Sequence, residues 1–264
     1  MPDFKAIQFT IENQVAWVTM NRPDARNAVN AEMRDELIGV FTDARTNGDI
    51  RALVLTGSGK GFCTGADLSG PRGQGPTGPG AGREVMKQSS QRLIRALWEL
   101  EKPVIAAVNG VAAGLGSHLA FASDLVIAAQ DARFIEVFVR RGIAIDAAGA
   151  FLLPRLIGLS KAKELVFFGD DLSADDAQKI GLVNKVVAGD QLAAAVREWA
   201  EKLAKGPTFA IGMSKRLLNR SLESSLETAL EEEAMAQSLV TQSEDTREGM
   251  TAFVERRQPQ FKGR

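Results

Sequence analysis

The chain carries one histidine, His118, and one cysteine, Cys63, among its 264 residues. A lone cysteine forms no internal disulfide or thiolate cluster, and a lone histidine cannot build a polyhistidine zinc site. No metal site is expected, and chemistry is left to carboxylates and backbone groups. Two glycine-containing turns supply the backbone groups, one from Gly57 to Leu68 and one from Asn109 to Gly116. Glycine lets N–H groups turn inward and approach a ligand, and a helix start adds a positive dipole end, so such turns suit oxyanions. Neither turn is a phosphate cradle: no Gly-Lys-Ser/Thr follows at the required spacing, and Gly-x-Gly-x-x-Gly is absent from the first strand–helix junction. Taken singly, each turn reads more simply as packing.

Asp146 stands among Ile143, Ala144, Ile145, Ala147 and Ala148. An apolar setting raises a carboxyl pKa by desolvation, which suits a proton shuttle near neutrality. A lone aspartate there also reads as the N-cap of a helix starting at Ala147. His118 lies three residues past Leu115, on the same helix face, near a helix N-terminus that favours the neutral ring. Unpaired in an apolar helix, it reads more simply as a hydrogen-bonded core residue than as a catalytic assistant. Cys63 reads as small buried packing. Glu136 reaches toward a pocket or toward water, depending on strand alternation.

These residues need positioning, and the pattern around them alternates strands with helices. Ala6 to Glu12 and Gln14 to Met20 read as strands joined by a turn; Asn30 caps a helix whose apolar face is Met33, Leu37, Val40 and Phe41. Short apolar strands follow at Arg51 to Thr56, Val104 to Val108 and Leu125 to Ala129, separated by helices at Glu84 to Leu100 and Leu115 to Ala122. This is the pattern of buried parallel strands with helical crossovers. From Lys161 onward the patterns are helical apart from Leu182 to Val187, with a break at Gly206-Pro207. Gly70 to Gly82, rich in glycine and proline, reads as a surface loop or a lid.

Phe62-Cys63-Thr64-Gly65-Ala66-Asp67-Leu68 resembles a signature of the crotonase (enoyl-CoA hydratase/isomerase) superfamily. So do Lys102 to Gly110, Asn21-Arg22-Pro23 with Asn27-Ala28, Gly181 to Val187, and the tail from Glu248 to Arg257, all in family order. The resemblance implies an α/β crotonase-like ββα spiral core over residues 1–200 and a C-terminal helical trimerisation region over 201–264. It implies acyl-CoA thioester substrates, with coenzyme A entering as part of the substrate and no separate cofactor. The backbone N–H groups of Ala66 and Leu115 would hold the thioester oxygen as an enolate forms, a device commonly worth about 3–4 kcal/mol of barrier lowering. By motif position, Ala25, Arg26, Ala28, Asp67 and Leu68 would contact CoA, with Phe253 and Arg256 reaching it from the tail, often that of a neighbouring subunit. A homotrimer or a hexamer is implied.

Hydratases of this family hold water between two glutamates, and here those positions fall on His118 and Phe138. Phenylalanine moves no proton, so ordinary hydration is not expected. The stretch from Gly142 to Gly158 instead resembles the phenylacetate-pathway isomerase branch, where an aspartate at the place of Asp146 is the base. The leading reading is a double-bond isomerase acting on an unsaturated acyl-CoA. Its rivals are a hydratase or hydrolase in which His118 and Asp146 activate water, and a non-catalytic CoA-ester binding protein. The net charge of −1 gives no basic excess for nucleic acid. Without a signal sequence or a long apolar run, a cytoplasmic location off the membrane is expected.

Overall fold

The computed structural model describes residues 4–69 and 78–264. β1 (Ile7–Glu12) and β2 (Val15–Met20) form an antiparallel hairpin. Its turn uses Asn13 and Gln14, both at positive φ (52° and 63°), the pairing that matches strand twist in a tight hairpin. α1 (Ala31–Ala44) follows, and the Asn30 side chain accepts the Met33 N–H at 2.9 Å, the cap expected from sequence.

The chain then repeats one unit. β3 (Ala52–Gly57) leads to β4 (Gly61–Cys63), then to α2 (Ala81–Gln88) and α3 (Ser90–Trp98). β5 (Val104–Val108) leads to β6 (Val111–Ala113) and α4 (Leu115–Phe121). β7 (Leu125–Ala129) leads to β8 (Arg133–Ile135), α5 (Gly149–Ile157) and α6 (Leu159–Phe168). Each unit gives its first strand to a six-stranded sheet, β1-β2-β3-β5-β7-β10, and its second to a four-stranded sheet, β4-β6-β8-β9. β9 (Asp171–Ser173), α7 (Ala174–Lys179) and β10 (Lys185–Val187) close the two sheets. All pairings after the first hairpin are parallel except β8 with β9. This is the expected ββα spiral.

The central strands are buried on both faces. Leu53 and Leu55 of β3 join the main core with Val104, Ala106 and Val108 of β5, while Val54, Ile105 and Ala107 face a second core under α8 (Leu192–Ala204). Burial on both sides explains why these strands read as unbroken apolar runs. α8 runs through the expected domain boundary at 200/201. Because it covers a sheet face, the region that is helical only begins after Gly206-Pro207, with α9 (Thr208–Ser221), α10 (Leu226–Val240) and α11 (Glu244–Glu255). The single helix expected over Glu84 to Leu100 is broken at Ser89, which leaves helical geometry (φ −102°, ψ −108°). No helix among the described residues is long and apolar enough to cross a membrane. Most of the glycine- and proline-rich stretch that reads as a surface loop or a lid, residues 70–77 of 70–82, lies outside the described residues.

Candidate active site

The two glycine turns meet. Gly65 has φ 99°, and a Cβ there would stand 2.9 Å from the Ala113 carbonyl oxygen and 3.7 Å from the Leu115 nitrogen. Gly110 is pinned against Lys60 in the same way, since a Cβ there would overlap the Lys60 carbonyl oxygen. Residues with side chains would hold the turns apart, so glycine here is a packing requirement that brings Ala66 and Leu115 together. Leu115 opens α4, where the first N–H groups have no partner inside the helix. Among the described residues neither the Ala66 nor the Leu115 N–H donates a hydrogen bond within the chain. Both residues line one cavity of about 330 Å³.

Asp146 lines that cavity as well. Burial pushes its carboxyl pKa up; the charge of His118 acts to lower it and that of Glu136 to raise it further. The N-cap reading is corrected: α5 starts at Gly149, its N-cap position is Ala148, and no side chain caps it. Ala147 and Ala148 both hold positive φ (45° and 62°), so the backbone just after Asp146 sits where alanine rarely goes. Such strain persists only where packing enforces it, and it gathers at functional sites. The cavity wall also includes the apolar side chains of Leu68, Leu93, Val137, Phe138 and Ile143 and the charged ones of Arg34 and Arg141.

His118 does not line the cavity. It is fully buried, with its ring stacked on Phe138 (centroids 5.4 Å apart, planes at 15°) and Nε2 3.0 Å from Glu136 Oε2. Glu136 is buried too, one residue past the end of β8, so strand alternation stops short of it. The sequence offered only an open choice for Glu136. Its signal was a carboxylate near a lone histidine, which a linear chain does not show to be adjacent. Cys63 is buried, and burial pushes its thiol up to about 12.

The N-terminal loop is fastened to the first glycine turn. Asn27 is fully buried and donates through Nδ2 to the carbonyls of Ser58 and Gly61, both at 2.9 Å. Arg26 and Asn27 lie at positive φ after a 3-10 turn over Pro23–Ala25, and the Arg26 carbonyl accepts the Thr64 N–H. Ala25, Arg26 and Ala28 therefore sit in one rigid loop beside Ala66. Asp67 is held to about 2 by its hydrogen bonds to Ser69 and by the Arg22 guanidinium 2.8 Å away. Leu68 stands largely exposed at the cavity rim. Phe253 and Arg256, at the end of α11, are not among the cavity-lining residues, and Phe253 is 80% exposed.

Comparison with known proteins agrees with this geometry. The family model for enoyl-CoA hydratase/isomerase matches residues 10–264. The chain is 40% identical over 255 residues to 1,2-epoxyphenylacetyl-CoA isomerase of Escherichia coli (strain K12), covering 96% of this chain and 97% of that one. It is 38% identical over 255 residues to the short-chain-enoyl-CoA hydratase of Clostridium acetobutylicum, covering 96% of each. A crystal structure of an enoyl-CoA hydratase/isomerase from Cupriavidus metallidurans CH34 superposes with a TM-score of 0.93 at 35% identity, covering 100% of this chain and 98% of that chain. With a shared fold and matches spanning nearly its whole length, the chain belongs to the enoyl-CoA hydratase/isomerase family of crotonase-fold enzymes.

Proposed function

We propose that the enzyme shifts a double bond along an unsaturated acyl-CoA, with Asp146 as the proton shuttle. One observation carries this reading. Two carboxylates line the cavity, Asp67 and Asp146, and Asp67 is already engaged by Ser69 and Arg22. The Asp146 carboxylate has no hydrogen-bond partner among the described residues, and burial raises its affinity for a proton. That is the character of a group that must both take and return one.

The thioester carbonyl would lie between the Ala66 and Leu115 N–H groups. Asp146 takes a proton from the α- or γ-carbon, the electron pair moves into the conjugated system, and the two N–H groups stabilise the oxygen of the dienolate. The protonated Asp146 then returns the proton at the other carbon, and the double bond moves with no net gain or loss of atoms. CoA would rest against Ala25, Arg26 and Ala28 and the Asp67-Leu68 backbone. Phe253 and Arg256 would complete its site from a neighbouring subunit of a trimer or hexamer. Water activation by His118 finds less support, because its ring lies outside the cavity wall with Nε2 turned to Glu136.

Incubation with 3-enoyl- and 2-enoyl-CoA in deuterated water tests the reading. Interconversion of the two, with deuterium entering the acyl chain, is the expected result. Accumulation of 3-hydroxyacyl-CoA or free CoA would replace isomerisation by hydration or hydrolysis. Tight binding without exchange would reduce the protein to a CoA-ester carrier.

A further inference from the structure

Two polar groups on the cavity wall are left unused by the isomerisation steps above. Ser90 is 8% exposed and lines the cavity, and its hydroxyl is buried with no hydrogen-bond partner among the described residues. Arg141 lines the same cavity, and its guanidinium has neither an ion pair nor a hydrogen bond among the described residues. We propose that Ser90 and Arg141 form a subsite for a negatively charged group on the acyl chain, so that the substrates are unsaturated acyl-CoA esters whose far end is a carboxylate.

The unpaired hydroxyl has a cause in the chain. A serine inside a helix often returns its hydroxyl to the carbonyl four residues back, as Ser214 of α9 does to Ala210 at 2.8 Å. For Ser90 that carbonyl belongs to Met86, on the far side of the break at Ser89. The Ser89 hydroxyl donates to it instead, at 3.4 Å. The break thus leaves the first residue of α3 with a hydroxyl that nothing in the described chain accepts, in a wall it shares with Met86 and Leu93. Burying such a group is unfavourable unless a partner arrives, and the cavity is the place from which a ligand can supply one.

The charges on the wall are those of Arg34, Asp67, Arg141 and Asp146. Arg34 is committed to Asp35, with Nε and Nη2 donating to the two carboxylate oxygens at 2.9 and 3.0 Å. Asp67 is engaged by Arg22 and Ser69. The charges that act on Asp146 are those of His118 and Glu136, and neither arginine pairs with it. Arg140, next in sequence, holds Asp171 at 2.8 Å. Arg141 is therefore the cation on the wall without a counterion among the described residues, and a guanidinium matches a carboxylate through two parallel hydrogen bonds. Its place in the chain points to the acyl end. Arg141 belongs to the segment that carries Asp146, with its N–H donating to the Phe138 carbonyl at 2.9 Å and the Ile143 N–H donating to the same oxygen at 3.1 Å. CoA is assigned to the N-terminal loop at Ala25, Arg26 and Ala28, whereas a base at Asp146 needs the acyl chain to pass along its own segment.

The inference rests on Asp146 being the base, and its test begins without turnover. Calorimetry with saturated CoA esters compares six- and eight-carbon chains ending in a carboxylate with the same chains ending in a methyl group, and with free CoA. At one of the two lengths, wild type should bind the carboxylate-ended ester about tenfold or more tightly than its methyl-ended counterpart, the effect of one hydrogen bond to a charged group. Arg141→Leu should close that gap, Arg141→Lys should restore part of it, and Ser90→Ala should narrow it. Arg141 is exposed, so its replacement removes no buried contact. Equal affinity for the two ester types at both lengths in wild type would overturn the proposal. So would an Arg141→Leu variant that weakens free CoA as much as the esters and leaves the gap intact, because the guanidinium would then serve a CoA phosphate. The corresponding 3-enoyl esters in deuterated water separate the two readings. A preference for the carboxylate with no exchange into the acyl chain sinks the isomerase reading and leaves the subsite standing, while exchange with no preference does the reverse.

Discussion

Gly116 lies so close to Cys63 that a single added carbon would stand 2.0 Å from the Cys63 carbonyl oxygen. The contact is backbone against backbone, with no flexible side chain to yield. It ties the N-terminus of α4 to the strand that leads into Ala66, and so it sets the separation of the two N–H donors.

Gly116→Ala should therefore injure chemistry and stability together. Forcing an extra carbon into a packed contact costs about 1–3 kcal/mol, and loss of one oxyanion donor typically costs 10²–10³ in turnover. Urea denaturation and isomerisation rates on the same preparation check this. A variant with normal turnover would show that the spacing of the turns is not set here.

Asp146→Asn should lower isomerisation by several orders of magnitude. Affinity for a CoA ester should change less than about tenfold, or roughly 1.4 kcal/mol, because the carboxylate is not needed to hold the thioester. Single-turnover kinetics beside calorimetric binding separate the two effects.

The same substitution should stabilise the fold, in a way that depends on pH. The carboxyl of Asp146 is raised above its ordinary value of 3.8 by burial, so the unfolded chain gives up this proton at lower pH than the folded one. Its favourable contribution is full below 3.8 and is lost as pH rises through the higher folded value. Asparagine does not ionise. The stability of Asp146→Asn relative to wild type should grow across that window, level off above it, and vanish in acid, as denaturation midpoints from pH 3 to 8 would show.

Cys63 should be inert in the folded protein. With its thiol pushed up to about 12, only about one part in ten thousand is thiolate at pH 8, and the side chain is fully buried. Iodoacetamide at pH 8 should leave the native enzyme unmodified and label it at one site in urea. Rapid native labelling would mean that the two glycine turns open far more often than their packing suggests.

The helices after Gly206-Pro207 expose Leu218, Leu222, Leu226, Leu230, Met235 and Leu239, each by more than half. Exposed apolar patches beyond a few hundred Å² usually mark interfaces, and we expect these side chains to form one. Sedimentation of the intact protein should give a trimer or a hexamer, and truncation after Leu203 should give monomer or aggregate with much weaker CoA-ester binding. A well-behaved monomer of the full chain at micromolar concentration would count against the assembly.

Strands β5 and β7 were legible to the residue, because burial on both faces leaves an unmistakable apolar run. The cap at Asn30 was legible because it acts over three residues. β6 was hidden, since Val111-Ala112-Ala113 is a short piece of a glycine turn and becomes a strand only by pairing with β4 and β8. Asp146 could be singled out by its apolar neighbours. Its release from capping could not, because that depends on two alanines held at positive φ by the surrounding packing. Glu136 was the least legible. Eighteen residues separate it from His118, and only the turn from β6 through α4 and β7 to β8 closes that gap.

The ββα repeat has one more consequence. Ala66 follows β4, Leu115 follows β6, and Glu136 and Asp146 follow β8, so successive repeats deliver successive parts of the site from the same point in their own sequence. The scaffold divides labour by turn number. On the proposed assignment, the first two turns would grip the thioester, whatever the acyl group, and the third would choose what is done to it. A lineage built this way can exchange its chemistry by rewriting one segment of about a dozen residues, with the grip left untouched, and proteins named as isomerases and hydratases then stand at similar sequence distance from a single chain.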